Sequence, residues 1–238
     1  MMFESIYDQL NRWGKDDTFF VRIIERIKPD GIADLGCGTG RLTLHLAGKG
    51  YHVTGLDPDE ASIRIAKQKD TENAVLWEVG TSEKLGAERF DVVMMTSNVA
   101  QVFVTDAEWT ATLHNIFQSL RPGGYLLFDT RNPLARAWER WTKEHSLSEV
   151  VDPATKANIR TWHETTSVHL PLVTYDTFYE NLDTHEVRSE DDTLIFRERE
   201  TLRQDLLAAG FQQVNIYGDW EFQQAGLHAK SFIFAAKK

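Results

Sequence analysis

Residues 32–42 read IADLGCGTGRL. The stretch opens with the apolar character of a buried strand. Three glycines follow at every second position, and GRLTLHLAGKG then reads as a helix closed by further glycines. A strand that turns through glycines into a helix is the opening unit of a parallel α/β sheet, and such turns lie where those sheets hold ligands. The spacing G-x-G-x-G departs from the dinucleotide fingerprint G-x-G-x-x-G, whose third glycine comes one place later. By spacing alone the turn fits a pyrophosphate, a dinucleotide, a ligand without phosphate, or a purely structural bend.

Working outward, strand and helix alternate. Upstream, residues 3–13 place Phe3, Ile6, Tyr7 and Leu10 on one side of a short helix. A second helix, N-capped by Asp16 or Asp17, carries Phe19, Phe20, Ile23, Ile24 and Ile27 on one stripe and stops at Pro29. Downstream, YHVTGLD, AVLWEV and RFDVVMMT read as strands 2, 3 and 4, with DEASIRIAKQK as a helix between the first two. Thr105 and Glu108 form a capping-box pair opening a helix with Trp109, Leu113, Ile116, Phe117 and Leu120 on one face; RPGG ends it before strand 5, YLLFDT. These near-continuous apolar strands predict a mainly parallel sheet covered on both faces.

After about residue 145 the pattern changes to NIRTWHETTSVHL, LVTYDTFYENL and HEVRSEDDTLIFRE, β-ribbon strands with a turn over Asn181–Thr184. A helix, ETLRQDLLAAG, and strands FQQVNIYGDW and KSFIFAAKK complete the chain. We read a single domain over 1–238: N-terminal helices or lid at 1–28, a ligand-binding core at 29–145, a β-rich insertion at 146–198 that forms either a wall of the acceptor site or a dimer surface, and the end of the sheet at 199–238.

Composition narrows the function classes. The 238 residues include 42% hydrophobic and 26% charged residues, with a formal net charge of −10. That balance argues against broad electrostatic capture of nucleic acid. One cysteine, Cys37, excludes an intrachain disulfide, and neither a targeting segment nor a membrane-length apolar run is evident. The expectation is a cytoplasmic protein, monomer or homodimer, without membrane or nucleic-acid partners. His and Asp show no metal-ligand spacing, so no metal is expected.

Two acids sharpen the choice of ligand. Asp34 ends strand 1, and Asp57 ends strand 2, twenty-one residues after Gly36. A carboxylate at Asp34 repels a pyrophosphate and attracts a cation, while an acid at position 57 accepts hydrogen bonds from ribose hydroxyls. Together they ask for a positively charged nucleoside, a requirement that S-adenosylmethionine meets with its sulfonium and α-amino group.

DLGCGTG at 34–40 followed by GLDPD at 55–59 resembles motif I and its acidic successor in the class I S-adenosylmethionine-dependent methyltransferases. FDVVMMTSNVAQVF at 90–103 and LRPGGYLLFDTRNP at 120–133 are similar to that family's fourth and fifth strand regions. The resemblance implies a Rossmann-like, doubly wound, seven-stranded sheet with the last strand antiparallel and the β-rich insertion after strand 5. It implies that Asp34 lies near the methionine amino group and that Gly36, Gly38 and Gly40 let the backbone pass close to the donor. Cys37 is then a small member of the turn rather than a nucleophile. Asp57 holds the ribose, Pro58 lies against the adenine, and Ser97 and Asn98 line the methionine side. Many members carry an Asp after strand 3 for the adenine amino group; here EVGTSEKL leaves Thr81 or Ser82 for that contact. Apart from the resemblance, the N-terminal segment with Tyr7 and Trp13 reads either as a lid over the donor, with the Tyr7 hydroxyl near its carboxylate end, or as an amphipathic helix packed on the domain.

On the acceptor side, no Asn-Pro-Pro-Tyr type tetrad follows strand 4, and Cys37 is badly placed for C5 methylation of pyrimidines. With the net acidity, both absences point to a small-molecule acceptor, with a peptide as the alternative; the expectation is an amine- or hydroxyl-bearing acid methylated on N or O by in-line displacement with catalysis mainly by positioning. FDTRN at 128–132 is similar to the Asp-x-Arg-Asn segment of glycine N-methyltransferase, which makes Arg131, with Asn132, the clamp for a substrate carboxylate. On the insertion, His163, Thr165, Ser167 and His169 share one face of a strand, Trp162 the other, and Val173, Tyr175, Thr177 and Tyr179 share a face of the next. His163 and Tyr175 are the candidate catalytic groups, and Trp162 and His163 join Arg131 as candidate acceptor contacts. Two alternatives stand beside this reading: an NAD(P)-dependent oxidoreductase, and a non-catalytic donor-binding protein that docks a partner.

Overall fold

A computed structural model describes residues 2–238, with side chains from Ile6 onward; the Phe3 side chain lies outside the described residues. Two helices, α1 (Met2–Leu10) and α2 (Lys15–Ile27), precede the sheet. Then come β1 (Gly31–Leu35), α3 (Arg41–Gly48), β2 (His52–Asp57), α4 (Glu60–Lys69), β3 (Val75–Val79), β4 (Phe90–Met95), α5 (Asp106–Ser119) and β5 (Leu120–Arg131). A short α6 (Lys143–Ser146) leads into β6 (Ser148–Val151), β7 (Asn158–His169), β8 (Leu172–Asn181) and β9 (Val187–Ile195). The chain ends with α7 (Arg199–Ala208), β10 (Gln213–Gly218) and β11 (Ser231–Lys237).

Seven strands form one sheet in the order β10-β11-β5-β4-β1-β2-β3. The pairs from β5 to β3 are parallel, and β11 runs antiparallel to both β5 and β10. The order turns back on itself between β1 and β4, so the carboxyl ends of those strands open a crevice. Both faces are covered. Phe20 and Ile24 of α2 and Leu46 of α3 pack on Ile32, Met94 and Leu127 on one side. Leu113, Ile116, Leu206 and Phe211 pack on Val93, Phe128 and Phe234 on the other, where the Phe128 and Phe234 rings stack at 4.7 Å.

The local chemistry explains most boundaries. Thr105 and Glu108 make the reciprocal capping box that starts α5, and Asn181 Oδ1 accepts from the backbone of Asp183 and Thr184 in the turn after β8. At α2 the cap differs from the sequence reading. Gly14 is the N-cap, and Asp17, three residues in, reaches back to accept from the Gly14 N–H at 2.8 Å. Either aspartate looks like a cap in sequence; burial of Asp17 beside Arg41 decides its place.

The insertion is a separate four-stranded antiparallel sheet, β6-β7-β8-β9. Its first strand, β6, was not legible in the sequence because it is four residues long and mostly exposed. Its register also corrects one expectation. Thr165 pairs with Tyr175, but Ser167 pairs with Thr174, so a bulge at Thr166 intervenes. An extra residue reverses the alternation, and Ser167 and His169 turn to the face opposite His163 and Thr165.

Candidate functional site

The glycine turn is tied down by its own amides. Gly36 and Cys37 N–H both donate to Leu56 O, at 2.7 and 3.1 Å, and Gly40 N–H donates to Cys37 O at 3.0 Å. Gly38 N–H donates to Asp57 Oδ2 at 2.8 Å, while Asp57 Oδ1 accepts from Asp59 N–H at 2.9 Å. Each Asp57 oxygen keeps acceptor capacity for one more donor. Burial raises the Asp57 carboxyl against the lowering effect of those two backbone bonds.

Asp34 sits deeper, 2% exposed. Thr43 Oγ1 donates to its Oδ2 at 2.6 Å, whereas Oδ1 is buried with no hydrogen-bond partner among the described residues. Burial, with the Asp57 charge adding to it, pushes this carboxyl up to about 7, against the Thr43 bond and nearby Arg41. Arg41 is itself paired to Asp17.

Two cavities open on these groups. One of about 590 Å³ is bordered by Gly38, Asp57, Pro58, Ser62, Thr81, Ser82, Phe103, Glu190 and Asp192, among others. A narrow one of about 70 Å³ is bordered by Asp34, Cys37, Thr96 and Ser97, and the two meet at Tyr7, Gly36 and Val99. A phosphate fits this arrangement poorly, because four of the five turn amides from Gly36 to Gly40 are already spent and two carboxylates face the space. A ribose at Asp57 and an ammonium at the orphaned Asp34 oxygen fit it well.

The insertion supplies the opposite wall. Directly paired antiparallel residues share a face, and two rows, His163–Thr177–Glu190 and Thr165–Tyr175–Asp192, lie on the same one. Glu190 and Asp192 border the larger cavity. His163 Nδ1 lies 2.9 Å from Thr177 Oγ1, and its ring meets Tyr175 edge-on at 5.6 Å. Behind them, Arg131 donates to Gln101 Oε1 at 2.8 Å and lies 5.5 Å from the Trp141 ring. No carboxylate comes within ion-pair distance of Arg131 among the described residues. Burial lowers the Arg131 guanidinium, and burial together with the Arg131 charge lowers His163; burial pushes Tyr175 up to about 12.

A family model described as a methyltransferase domain matches residues 32–124, from β1 through the crevice to β5. A Bacillus subtilis (strain 168) protein named as a candidate methyltransferase, YqeM, is 31% identical over 55% of this chain and 54% of its own. A second candidate methyltransferase, from Geobacillus sp. (strain WCH70), is 25% identical across 100% of both chains. Among solved structures, an S-adenosylmethionine-dependent methyltransferase of Clostridium acetobutylicum superposes with a TM-score of 0.77 at 15% identity, over 99% of this chain and 97% of that one. Residues 32–124 are a methyltransferase domain, and the chain as a whole has the fold of an S-adenosylmethionine-dependent methyltransferase. The alignment spans about half of YqeM and all of the Geobacillus relative. No helix of the described residues is long and apolar enough to cross a membrane.

Within the methyltransferase, the residues singled out from sequence do not all reach the crevice. Gly40 borders neither cavity; its missing Cβ makes room for the Trp77 ring, 2.4 Å from where that carbon would stand. Asn98 also borders neither, and its backbone N–H donates to Asp129 Oδ2 at 3.1 Å in a left-handed bend shared with Ser97. Asn132 is structural. Its amide donates to Leu227 O and Ala229 O, and its oxygen accepts from Leu134 N–H, so both donors are spent within the fold and the side chain is buried. Trp162 lies on the far face of the insertion, stacked on Phe178 at 5.0 Å and covered by Lys143. Trp13 packs on the His45 ring rather than over the cavity, whereas Tyr7 borders both cavities.

Several groups were missed. Asp129 stands in the FDTRN segment, where only Arg131 and Asn132 were singled out; Gln101, Glu190 and Asp192 carry no motif, and only the cross-strand register brings the last two to the crevice. The alternation of the strand HEVRSEDDTLIFRE was the available signal, since it puts Glu190 and Asp192 on one side.

Proposed function

We propose that the methyltransferase transfers the methyl group of S-adenosylmethionine to nitrogen or oxygen of a small amine- or hydroxyl-bearing acid. The observation that carries this reading is the junction of the two cavities at Tyr7, Gly36 and Val99, with the polar face of the insertion above it. The donor, when bound, supplies a methyl group on positively charged sulfur, so an aligned acceptor lone pair suffices for in-line displacement. The protein's part is to bind, align and exclude water.

In this reading Asp57 takes the ribose hydroxyls and Asp34 Oδ1 faces the α-ammonium. Pro58, Thr81 and Ser82 surround the adenine, and Tyr7 closes the site from α1. Helix α1 is latched in place for that role: Asp8 accepts from Thr39 Oγ1 and Lys69 Nζ, both at 2.6 Å, and Ile6 is buried against Ile159 and Tyr179 of the insertion. Arg131, a buried cation on a neutral partner, holds the acceptor's carboxylate. His163, kept neutral by burial, and Tyr175 shape the acceptor space.

Relatives' names support small acceptors of both kinds. A ubiquinone biosynthesis O-methyltransferase of Pseudomonas fluorescens is 34% identical over 48% of this chain and 51% of its own. An amino pentose methyltransferase with the donor bound, CalS10, shares the fold with a TM-score of 0.72 at 19% identity over 100% of this chain and 97% of that one. The test has two parts. Calorimetry should show binding of S-adenosylhomocysteine and none of NAD. Methyl-labelled donor should then mark the small-molecule fraction of a bacterial extract; label appearing only in protein or nucleic acid would overturn the acceptor class.

A further inference from the structure

We propose that the atom methylated is an amine nitrogen, and that Asp192 binds it as the ammonium and takes its proton. The inference rests on the acceptor reading above and deepens it by naming the nucleophile.

Asp192 lies on β9 directly opposite Tyr175 of β8, on the face turned toward the crevice, and borders the donor cavity itself. The direct cross-strand pairing sets the Asp192 carboxylate beside Tyr175 on that face. Glu190 follows two residues earlier on the same face and borders the same cavity. Among the described residues no Lys, Arg or His lies within ion-pair distance of either acid. Two uncompensated carboxylates beside the donor cavity attract a cationic acceptor and repel one that must become an oxyanion to react. The cation on this side, Arg131, is not among the residues that border that cavity and is engaged with Gln101. The polar face of the insertion is therefore basic around Arg131 and acidic where it borders the donor cavity. His163 is less suited to the proton, because it does not border the donor cavity and its Nδ1 is engaged with Thr177.

The step balances simply. The acceptor R–NH3+ gives one proton to an Asp192 oxygen and becomes R–NH2. The nitrogen lone pair forms the new N–C bond as the methyl C–S bond breaks, its electron pair staying on sulfur as a neutral thioether. The product leaves as R–NH2+–CH3, and Asp192 returns its proton to water.

The test uses the full chain, methyl-labelled donor and a bacterial metabolite extract, with the labelled product located by tandem mass spectrometry and NMR. Label on nitrogen is the expected result, and label on oxygen or carbon overturns the proposal. Asp192→Asn should hold S-adenosylhomocysteine within about twofold of wild type yet transfer roughly a hundredfold more slowly, the usual scale for a lost proton acceptor. Wild-type turnover by Asp192→Asn, or loss of its donor binding, would each contradict the assignment. If that variant does not fold, the site of the label in the wild-type product still decides. No transfer by the wild type to any metabolite sinks the function itself, a failure distinct from transfer to the wrong atom.

Discussion

Thr43 donates a 2.6 Å hydrogen bond to one oxygen of Asp34 and leaves the other oxygen buried without a partner among the described residues. A buried carboxylate half-satisfied in this way is costly as an anion, and burial accordingly pushes Asp34 up to about 7. A bound ammonium would supply the missing partner. Binding should therefore favour the ionised form and draw a proton off Asp34. The expected outcome is that affinity for S-adenosylhomocysteine, measured by calorimetry, rises as pH goes from 6 to 8 and levels above that. Asp34→Asn should bind more weakly at pH 8 and lose most of the slope. A flat profile in the wild type would place the ammonium elsewhere.

The same linkage acts on the ligand-free fold. Asp129 is pushed up to about 7 by burial, as Asp34 is, and its Oδ1 also has no partner among the described residues. Unfolded, both titrate near 4. Between about pH 4 and 7 the folded chain thus holds protons that the unfolded chain has released, so these two groups lower stability as pH rises through that window. The depressed carboxyls of Asp70 and Asp91 work in the opposite sense but only at lower pH, and neutral His163 opposes weakly below its ordinary value. Urea denaturation should show Asp129→Asn losing part of the wild-type fall in stability between pH 5 and 7. If the variant keeps the full slope, Asp129 is already ionised in the native protein.

Two of the three glycines of the turn, Gly38 and Gly40, should separate by experiment. A methyl group at Gly40 would meet the Trp77 ring at 2.4 Å with φ at +80°, so Gly40→Ala should cost about 2–4 kcal/mol of stability through overpacking and a left-handed backbone. At Gly38 the nearest atom is Tyr7 Cε1 at 3.9 Å with φ at +53°, and Gly38→Ala should cost only about 1 kcal/mol. Gly38 borders the donor cavity, so that variant's main defect should be a weaker donor complex. Equal loss of stability in the two variants would contradict this division.

Much of the sheet was legible because its strands are apolar on both faces and its helices carry one apolar stripe, so local pattern and global fold agree. The donor side was legible for the same reason that motifs exist: Asp34, Gly36, Gly38 and Asp57 lie within two adjacent strand–turn units. The acceptor side was not. It is assembled from the end of β5, the turn after β4 and three strands of the insertion, whose register is set by a bulge at Thr166 that no local signal marks. Asn132 shows the converse error, since a residue beside Arg131 in a suggestive segment spends both its amide hydrogens on residues 95 and 97 positions away.

Asp57 holds the turn through the Gly38 amide and also borders the larger cavity, and its loss should be read with both in mind. Asp57→Ala removes acceptors for both the Gly38 amide and the ribose, and should weaken S-adenosylhomocysteine binding by about 1–3 kcal/mol. Asp57→Asn keeps an oxygen for one partner and should lose less. Unchanged affinity in both would rule out the ribose contact.

Arg131 and its neighbour Asn132 offer the sharpest contrast between an acceptor contact and a structural one. Arg131→Lys removes the fork that holds a carboxylate, while the lysine can still reach toward Gln101. Hydrogen bonds to charged groups are worth about 1.5–3 kcal/mol, so the acceptor's KM should rise roughly tenfold to a hundredfold with donor affinity unchanged. Asn132→Ala instead strands the carbonyls of Leu227 and Ala229, one amide hydrogen bond each at 2.9 and 2.7 Å. Its effect should be a loss of about 2–4 kcal/mol in denaturant stability with little change in KM. Should donor affinity fall in Arg131→Lys as far as acceptor affinity does, the guanidinium supports the crevice as a whole and another group must orient the acceptor.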